Sequence, residues 1–318
     1  MSLARFALRQ FGQMLVTLFI ISVLTFALIQ VVPGDLARSI LGPFSTNQQV
    51  ELLRQDLGLD EPLVERYATW LGDFVTGDWG VSRNEGVEVM PLVMGRLWNS
   101  IQLGALAMLI TIPLSVGFGI LAALYRDRML DRTVNVVGLT WVGIPEFASG
   151  IVLLWVFAVK LGWFPVIAGF EPGAGPLDRL HHLILPTIPL VMVLFVYIAR
   201  HTRQGTIEVL DSPYVRTATL KGMSRRRVIV RHVLPNALLP TVAVIGLQTG
   251  FVLGGLVIIE NLFTYPGIGQ LSLQAATLKD VDVLLPATML TAALFMIVRF
   301  ITELVYGLLD PRIRLGAQ

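Results

Sequence analysis

The chain has 318 residues, 54% of them hydrophobic and 14% charged, with a mean hydropathy of +0.72. Soluble domains carry about 25% charged residues, so the composition favours a bilayer as solvent. The net charge of +2 does not point to nucleic acid, and the absence of cysteine excludes disulfides, thiolate metal sites and thiol catalysis.

Charge-free runs mark the elements in chain order. They lie between Arg9 and Asp35, Arg96 and Arg126, and Arg132 and Lys160, the third broken only by Glu146. Three more lie between His182 and Arg200, His232 and Glu260, and Asp282 and Arg299, the last extending through FITELVYGLL. A helix crossing ~30 Å of hydrocarbon takes roughly 20 apolar residues, and backbone in lipid must satisfy its own hydrogen bonds. An all-α integral membrane protein with about six transmembrane helices is therefore expected, with spans near 9–32, 99–125, 133–160, 183–200, 237–259 and 284–308. The stretch FGQMLVTLFIISVLTFALIQVV is too long for the apolar region of a signal peptide and no small-x-small cleavage site follows it, so an uncleaved helix is favoured.

Orientation follows from arginine. With the N-terminus in the cytoplasm, the cytoplasmic segments hold 15 of the 24 basic residues, whereas the outer segment 33–96 holds five basic against ten acidic residues. Both termini are then cytoplasmic. In the outer segment, TNQQVELLRQDLG has helical apolar spacing and GDWG reads as a turn. A second outer loop, 162–182, contains EPGAGP.

Residues 200–236 form the largest cytoplasmic segment. Asp211 or Ser212 suits a helix start with Pro213 at its first position. The helix PYVRTATLK ends at Gly222, and a second basic helix, SRRRVIVRHVL, stops at Pro235. Two short helices with a glycine joint make a compact knob. On this pattern alone, a knob that docks into a partner's groove and a solvated basic loop near anionic lipid are equally good readings.

The same loop resembles the EAA motif of ABC importer permeases: Arg216-Thr217-Ala218 stand where the motif has Glu-Ala-Ala, Gly222 follows at the motif's spacing, and His232-Val233-Leu234-Pro235 stand for Ile-x-Leu-Pro. The departures at Arg216, Thr217 and His232 are similar to the dipeptide/oligopeptide/nickel branch. So are VPGDL, LGLDEPLVERYATWL, GDWGVS, GIPEF, GWFPV, LGGLVIIENLFTYPGIGQL and YGLLDPRIR, which together span nearly the whole chain. The resemblance implies a type I importer permease fold with a cytoplasmic coupling helix. It implies a second homologous permease subunit, two ATP-binding subunits and an extracytoplasmic solute-binding protein as partners, besides membrane lipid, in a bacterial or archaeal inner membrane. It assigns contact with the ATPase to Tyr214, Arg216, Thr217, Ala218, Leu220 and Gly222, with Leu234 and Pro235 marking the return to the membrane. Di- and oligopeptides are the majority cargo of such proteins; nickel chelates, glutathione, opines and some sugars are carried by relatives.

No cofactor is expected in this chain. A P-loop needs Gly-Lys-Ser/Thr, and none of Lys160, Lys221 and Lys279 follows a glycine, so ATP and Mg²⁺ are expected on partner subunits and the chain itself is not an enzyme. Polar residues within the spans, Glu146, Asn135, Gln248, Glu260 and Asn261, are the candidates for a translocation path, since ionisable groups there are costly and usually functional. For Glu146, beside Pro145, the structural alternative is an ion pair or a water-solvated kink. For Asn135 and Gln248, bonding between helices is the favoured role. Glu260 and Asn261 are expected at the outer mouth, and Arg299 is expected to pair with Glu303. The dinucleotide-like GFGILA (117–122) falls mid-span with no preceding strand, so close helix packing is its reading. The adjacent His181 and His182 make no convincing metal site. A stand-alone secondary transporter or channel would show several buried charges and internal repeats; a structural or enzymatic subunit would show a catalytic or cofactor constellation.

Overall fold

The computed structural model describes residues 3–31, 38, 45–56, 60–171 and 173–309. VPGDL, Pro172 in the second outer loop, and the end of YGLLDPRIR with Arg312 and Arg314 lie outside the described residues, in whole or in part. The regular elements among the described residues are all helices, with one isolated bridge between Val81 and Glu88.

The long helices are α1 (Leu3–Val31), α4 (Val89–Leu124), α7 (Pro176–Leu210), α10 (Leu234–Leu262) and α12 (Val281–Leu309). Each is long and apolar enough to cross a membrane. The two short helices α2 (Asn47–Asp56) and α3 (Leu63–Thr76) lie between α1 and α4. The observed helices outrun the charge-free windows. α7 has 35 residues where the window 183–200 has 18, and at 1.5 Å per residue it is about 52 Å long. Its ends carry Asp178, Arg179, Arg200 and Arg203 beyond a ~30 Å apolar slab, where charged side chains meet water and headgroups.

The third expected span is not one continuous helix. It is a pair, α5 (Met129–Val142) and α6 (Glu146–Leu153, continued in wider π-type turns over Leu154–Lys160), bent by 99° at the break. The cause is local: Pro145 lacks an N–H and its ring cannot follow a helical turn, so it starts α6 instead of continuing α5. The expected stop at Pro235 is overturned in the opposite sense. The short helix α9 (Arg225–Val228) runs through π-type turns at Ile229–Val233 directly into α10. The widened turns give the proline ring room, so the chain bends its ladder without ending it.

Helix α4 runs parallel to α7: Gly119 lies against Ala199 and Thr202, and beyond the helix ends Arg126 reaches Asp211. Helix α10 runs antiparallel to both, with Gly205 against Ala237 and Gly104 against Val252 and Leu256. α12 is antiparallel to α10 and α1 to α12, as the contacts of Gly250 with Phe295, and of Phe11 with Phe300, show. The start of α1, the ends of α4, α7 and α12, and α9 thus gather at one arginine-rich end. At the opposite end, α3 lays Tyr67, Trp70 and Phe74 in an aromatic row that reaches Phe26 of α1 and Trp79. Tyr67 also shares a 2.7 Å hydrogen bond with Ser22.

Helix association in lipid depends on close packing because water exclusion gives little between helices there. Gly119 meets that need: a Cβ there would stand 2.6 Å from the Ala199 carbonyl oxygen and 2.7 Å from Thr202 Cβ. This is the packing role expected for GFGILA. Gly119→Ala is expected to destabilise the bundle by ~1–3 kcal/mol, read as a lower melting temperature in detergent. Gly117→Ala, where an added Cβ meets nothing within 4 Å, is expected to be neutral or stabilising.

Candidate functional site: the knob, the bundle interior and a polar recess

The knob is α8 (Pro213–Leu220) followed by α9. Ser212 has the extended backbone of a helix cap and Pro213 fills the first turn, as the sequence suggests. The capping chemistry differs from expectation: the Ser212 hydroxyl donates backwards to the Val209 carbonyl at 2.5 Å, and Asp211 instead approaches Arg126 at 3.4 Å. Gly222 adopts φ +78°, which L side chains rarely take, and the chain reverses there into α9. Val215, Ala218, Val228, Val233 and Ala237 form a small core that ties α8 and α9 to the start of α10, with Val209, Leu210 and Met223 packed around it. Tyr214, Arg216, Thr217 and Leu220 face outward, Leu220 being 80% exposed. Ala218 points into the core. Leu234 is half-buried and Pro235 exposed, both within the continuous α9–α10 helix.

Glu260 is not a mouth residue. It is fully buried, and its carboxylate accepts hydrogen bonds from the Ser100 hydroxyl (2.5 Å), Gly269 N–H (2.8 Å) and Gln270 N–H (3.1 Å). The last two are in the first turn of α11 (Ile268–Leu278), whose N-terminus carries partial positive charge. The Ser100 oxygen also accepts from Ile268 N–H at 2.8 Å. The loop 263–267 is held from its other side: Asn99 donates to the Pro266 carbonyl, and the Tyr265 hydroxyl donates to the Asn99 carbonyl at 2.9 Å. Burial raises the Tyr265 phenol above its ordinary pKa, which keeps that donor protonated. A Cβ at Gly269 would fall 2.8 Å from Val257 Cα and 2.9 Å from the carboxylate, and one at Gly267 would strike the carboxylate outright. The stretch IENLFTYPGIGQL is therefore a clamp. Asn261, half-buried, donates to the Val257 carbonyl of its own helix at 2.7 Å.

Asn135 is occupied as well. It donates to the backbone carbonyl and the Oδ1 of Asp131, at 2.9 and 2.8 Å. Asp131 is 3% exposed and forms a bidentate pair with Arg203 (2.5 and 2.7 Å), with a further bond from Asp127 N–H. This staple joins α5 to α7 at the arginine-rich end. Sequence reasoning counted Arg203 only as one more basic charge. The acid set among Arg126, Arg128 and Arg132 is the signal in the sequence that a local partner existed.

Glu146 and Gln248 are brought together. Both line a recess of about 380 Å³ with Leu190, Val193, Tyr197, Phe251, Gly254 and Gly255, between α6, α7 and α10. The Glu146 carboxylate stands over bare backbone, since a Cβ on Gly255 would lie 2.9 Å from its Oε2. Elsewhere, Arg299 pairs with Glu303 at 2.9 Å. His181 and His182 bond backbone carbonyls, of Trp163 and Asp178 respectively. Among the described residues no group of three or more His, Asp or Glu is placed to hold a metal ion.

A bundle of apolar helices with its polar interior groups mostly bonded, and a recess left open on one face, is the architecture of a membrane transport subunit. The family described as binding-protein-dependent transport system inner membrane component matches residues 115–315, and its N-terminal companion matches residues 3–98. The chain belongs to this family of multi-pass inner-membrane ABC importer permeases. Among its relatives, the "Glutathione transport system permease protein GsiC" of Escherichia coli (strain K12) is 35% identical over 298 residues, covering 94% of this chain and 95% of the relative. The protein of the same name from Shigella dysenteriae serotype 1 matches at the same identity and coverage. A chain from the inward-facing MetNI methionine ABC transporter aligns with a TM-score of 0.55 at 17% identity, covering 70% of this chain and 97% of that one, a likeness of fold.

Removing the Glu260 carboxylate orphans three donors, each costing ~1–3 kcal/mol when buried. Glu260→Ala is expected to lower the melting temperature more than Ser100→Ala does, and to speed amide exchange at Gly269 and Gln270. Unchanged exchange at those two amides would refute the clamp.

Proposed function

We propose that this permease forms half of the translocation pathway of an ATP-driven importer for di- and oligopeptides, and that the α8–α9 knob is its coupling element. The arginine-rich end is placed in the cytoplasm by the positive-inside rule, which puts both termini there. ATP and Mg²⁺ are bound by two partner subunits, a second homologous permease completes the pathway, and a solute-binding protein delivers cargo on the other side.

The observation that carries this reading is the knob's construction. It has its own apolar core, yet turns Tyr214, Arg216, Thr217 and Leu220 outward. An 80% exposed leucine at the tip of a basic knob suits a partner's groove better than water. The core also makes the knob stiff enough to transmit a push. Nucleotide-driven closure of the partners would bias α7 and α10 between two arrangements, by differential binding to one of them. For cargo, glutathione is the second reading, favoured by the names of the relatives; it is itself a small peptide and carries the same ammonium and carboxylate groups.

Reconstitution with the partner permease, ATPase subunits and binding protein tests the assignment. ATP-dependent uptake of a dipeptide is expected, and competition by glutathione decides between the two cargoes. Leu220→Glu is expected to cut ATPase co-purification and ATP-driven uptake by more than about tenfold, the size of a lost interface hot spot, with the melting temperature unchanged. Transport by the isolated chain without ATP would overturn the proposal.

A further inference from the structure

The recess beside α6 holds an acid unlike those of the clamp and the staple. Glu260 and Asp131 have donors at every turn, whereas among the described residues the Glu146 carboxylate meets no cation and accepts no hydrogen bond from a neighbouring side chain or amide. Nor is the Gln248 amide bonded, although its residue is 5% exposed. A carboxylate cannot face hydrocarbon, so the recess opens onto water or a solute. Its other walls are aromatic and small. Tyr197 and Phe251 are 40% and 67% exposed, and a Cβ at Gly254 would meet nothing within 4 Å, which leaves the floor open.

We infer that this recess is a subsite for the primary ammonium group of the transported peptide, with Glu146 as its anionic acceptor. The inference rests on the peptide reading above and names the part of the cargo it would hold. An ammonium has three N–H donors and no acceptor. Glu146 offers two carboxylate oxygens and Gln248 one amide oxygen, while Tyr197 and Phe251 add aromatic rings to the lining, a side-chain type that attracts cations. A divalent ion takes six or more oxygen ligands, and the side chains of the recess offer few, those of Glu146, Gln248 and Tyr197. A carboxylate group on the cargo would be repelled. The bend at Pro145 is what brings the acid here: it aims the first turn of α6 at α10, and Gly255 lets the carboxylate lie on the opposing backbone. A single-acid site binds weakly, as a site must if cargo is to leave it again.

The test uses the assembled complex in nanodiscs and the rate at which a hydrophobic carbodiimide modifies Glu146, read by mass spectrometry. Glycylglycine amide is expected to slow modification by about tenfold, the strength of one charge-assisted hydrogen bond. Its N-acetyl derivative, which lacks the ammonium, is expected to leave the rate unchanged. Gly254→Leu, which fills the floor, is expected to abolish the protection. Glu146→Gln is expected to reduce dipeptide uptake by about tenfold, with part recovered in Glu146→Asp. Absence of protection, or equal protection by the acetylated peptide, overturns the subsite. Protection without ATP-driven dipeptide uptake by the unsubstituted complex would instead count against the proposed cargo.

Discussion

A carboxylate taken out of bulk water must find donors, a cation or a private supply of water, and the interior acids of this chain meet that demand in different ways. Glu260 is surrounded by N–H and O–H donors at the start of α11, and Asp131 by the Arg203 guanidinium. Asp280 lies between these and Glu146. One of its oxygens accepts from Ser82 and Asn84, tying the turn after GDWG to the α11–α12 junction, while its buried Oδ1 has no partner. Glu146 has none of these supports. In a bundle that spends so many side chains on neutralising its other acids, an acid left open marks the place where something else comes in.

The satisfied acids fix the frame around that opening. The Glu260 clamp joins α4, α10 and α11 near one end of the bundle, and the Asp131–Arg203 staple joins α5 and α7 near the other. Elsewhere the helices touch through glycines at backbone, as Gly119 against the Ala199 carbonyl and Gly205 against the Ala237 carbonyl show. Interfaces of this kind change by whole steps, because a backbone contact cannot be compressed by a fraction of a side chain. The α5–α6 break is different. Its corner is Gly143, Ile144 and Pro145, where the bonds of α5 end at Ile144 N–H and those of α6 begin at the Pro145 carbonyl, and its residues are exposed. A frame held at both ends, with a hinge at one corner of the recess, is suited to opening on alternate sides.

The long helices were legible because absence of charge over 16 or more residues, repeated five times, has one physical explanation in a chain this apolar. Their ends were not, because charges at a helix end can stand in water without ending the helix; Arg96 lies inside α4, seven residues after its start. The bend at 143–145 was half legible: Pro145 marks a broken ladder, but nothing in the local sequence gives the 99° angle between the two pieces. Glu260 was misread for a deeper reason. Its position at the end of an apolar run suggests a mouth, yet its donors come from residues 9 and 10 places onward and 160 places back, separations that no periodicity reveals. The knob was legible from Pro213 and Gly222, local signals for a helix start and stop. That Ala218 faces inward and Leu220 outward needed the core that Val228, Val233 and Ala237 supply from farther along the chain.

The placement of the knob relative to the recess completes the physical picture. α8 follows α7 after only Asp211 and Ser212, and α9 passes into α10 without a helical break. The two helices leaving the knob are those that carry Tyr197, on one wall of the recess, and Gln248, Phe251 and Gly255, on the other. A force on the knob therefore reaches the α10 wall through unbroken helix backbone and the α7 wall across a two-residue connection. The compliant points on these helices are the π-type turns at Ile229–Val233 and the prolines at Pro186, Pro189 and Pro240, where the ladder is already interrupted. On α10 the π-type turns and Pro240 lie between the knob and the recess, whereas Pro186 and Pro189 of α7 lie beyond the recess from the knob. Rotating Gly255 away from Glu146 would separate the acid from the backbone it rests on, which would couple release of a bound cation to movement of the knob without a charge ever crossing bare hydrocarbon.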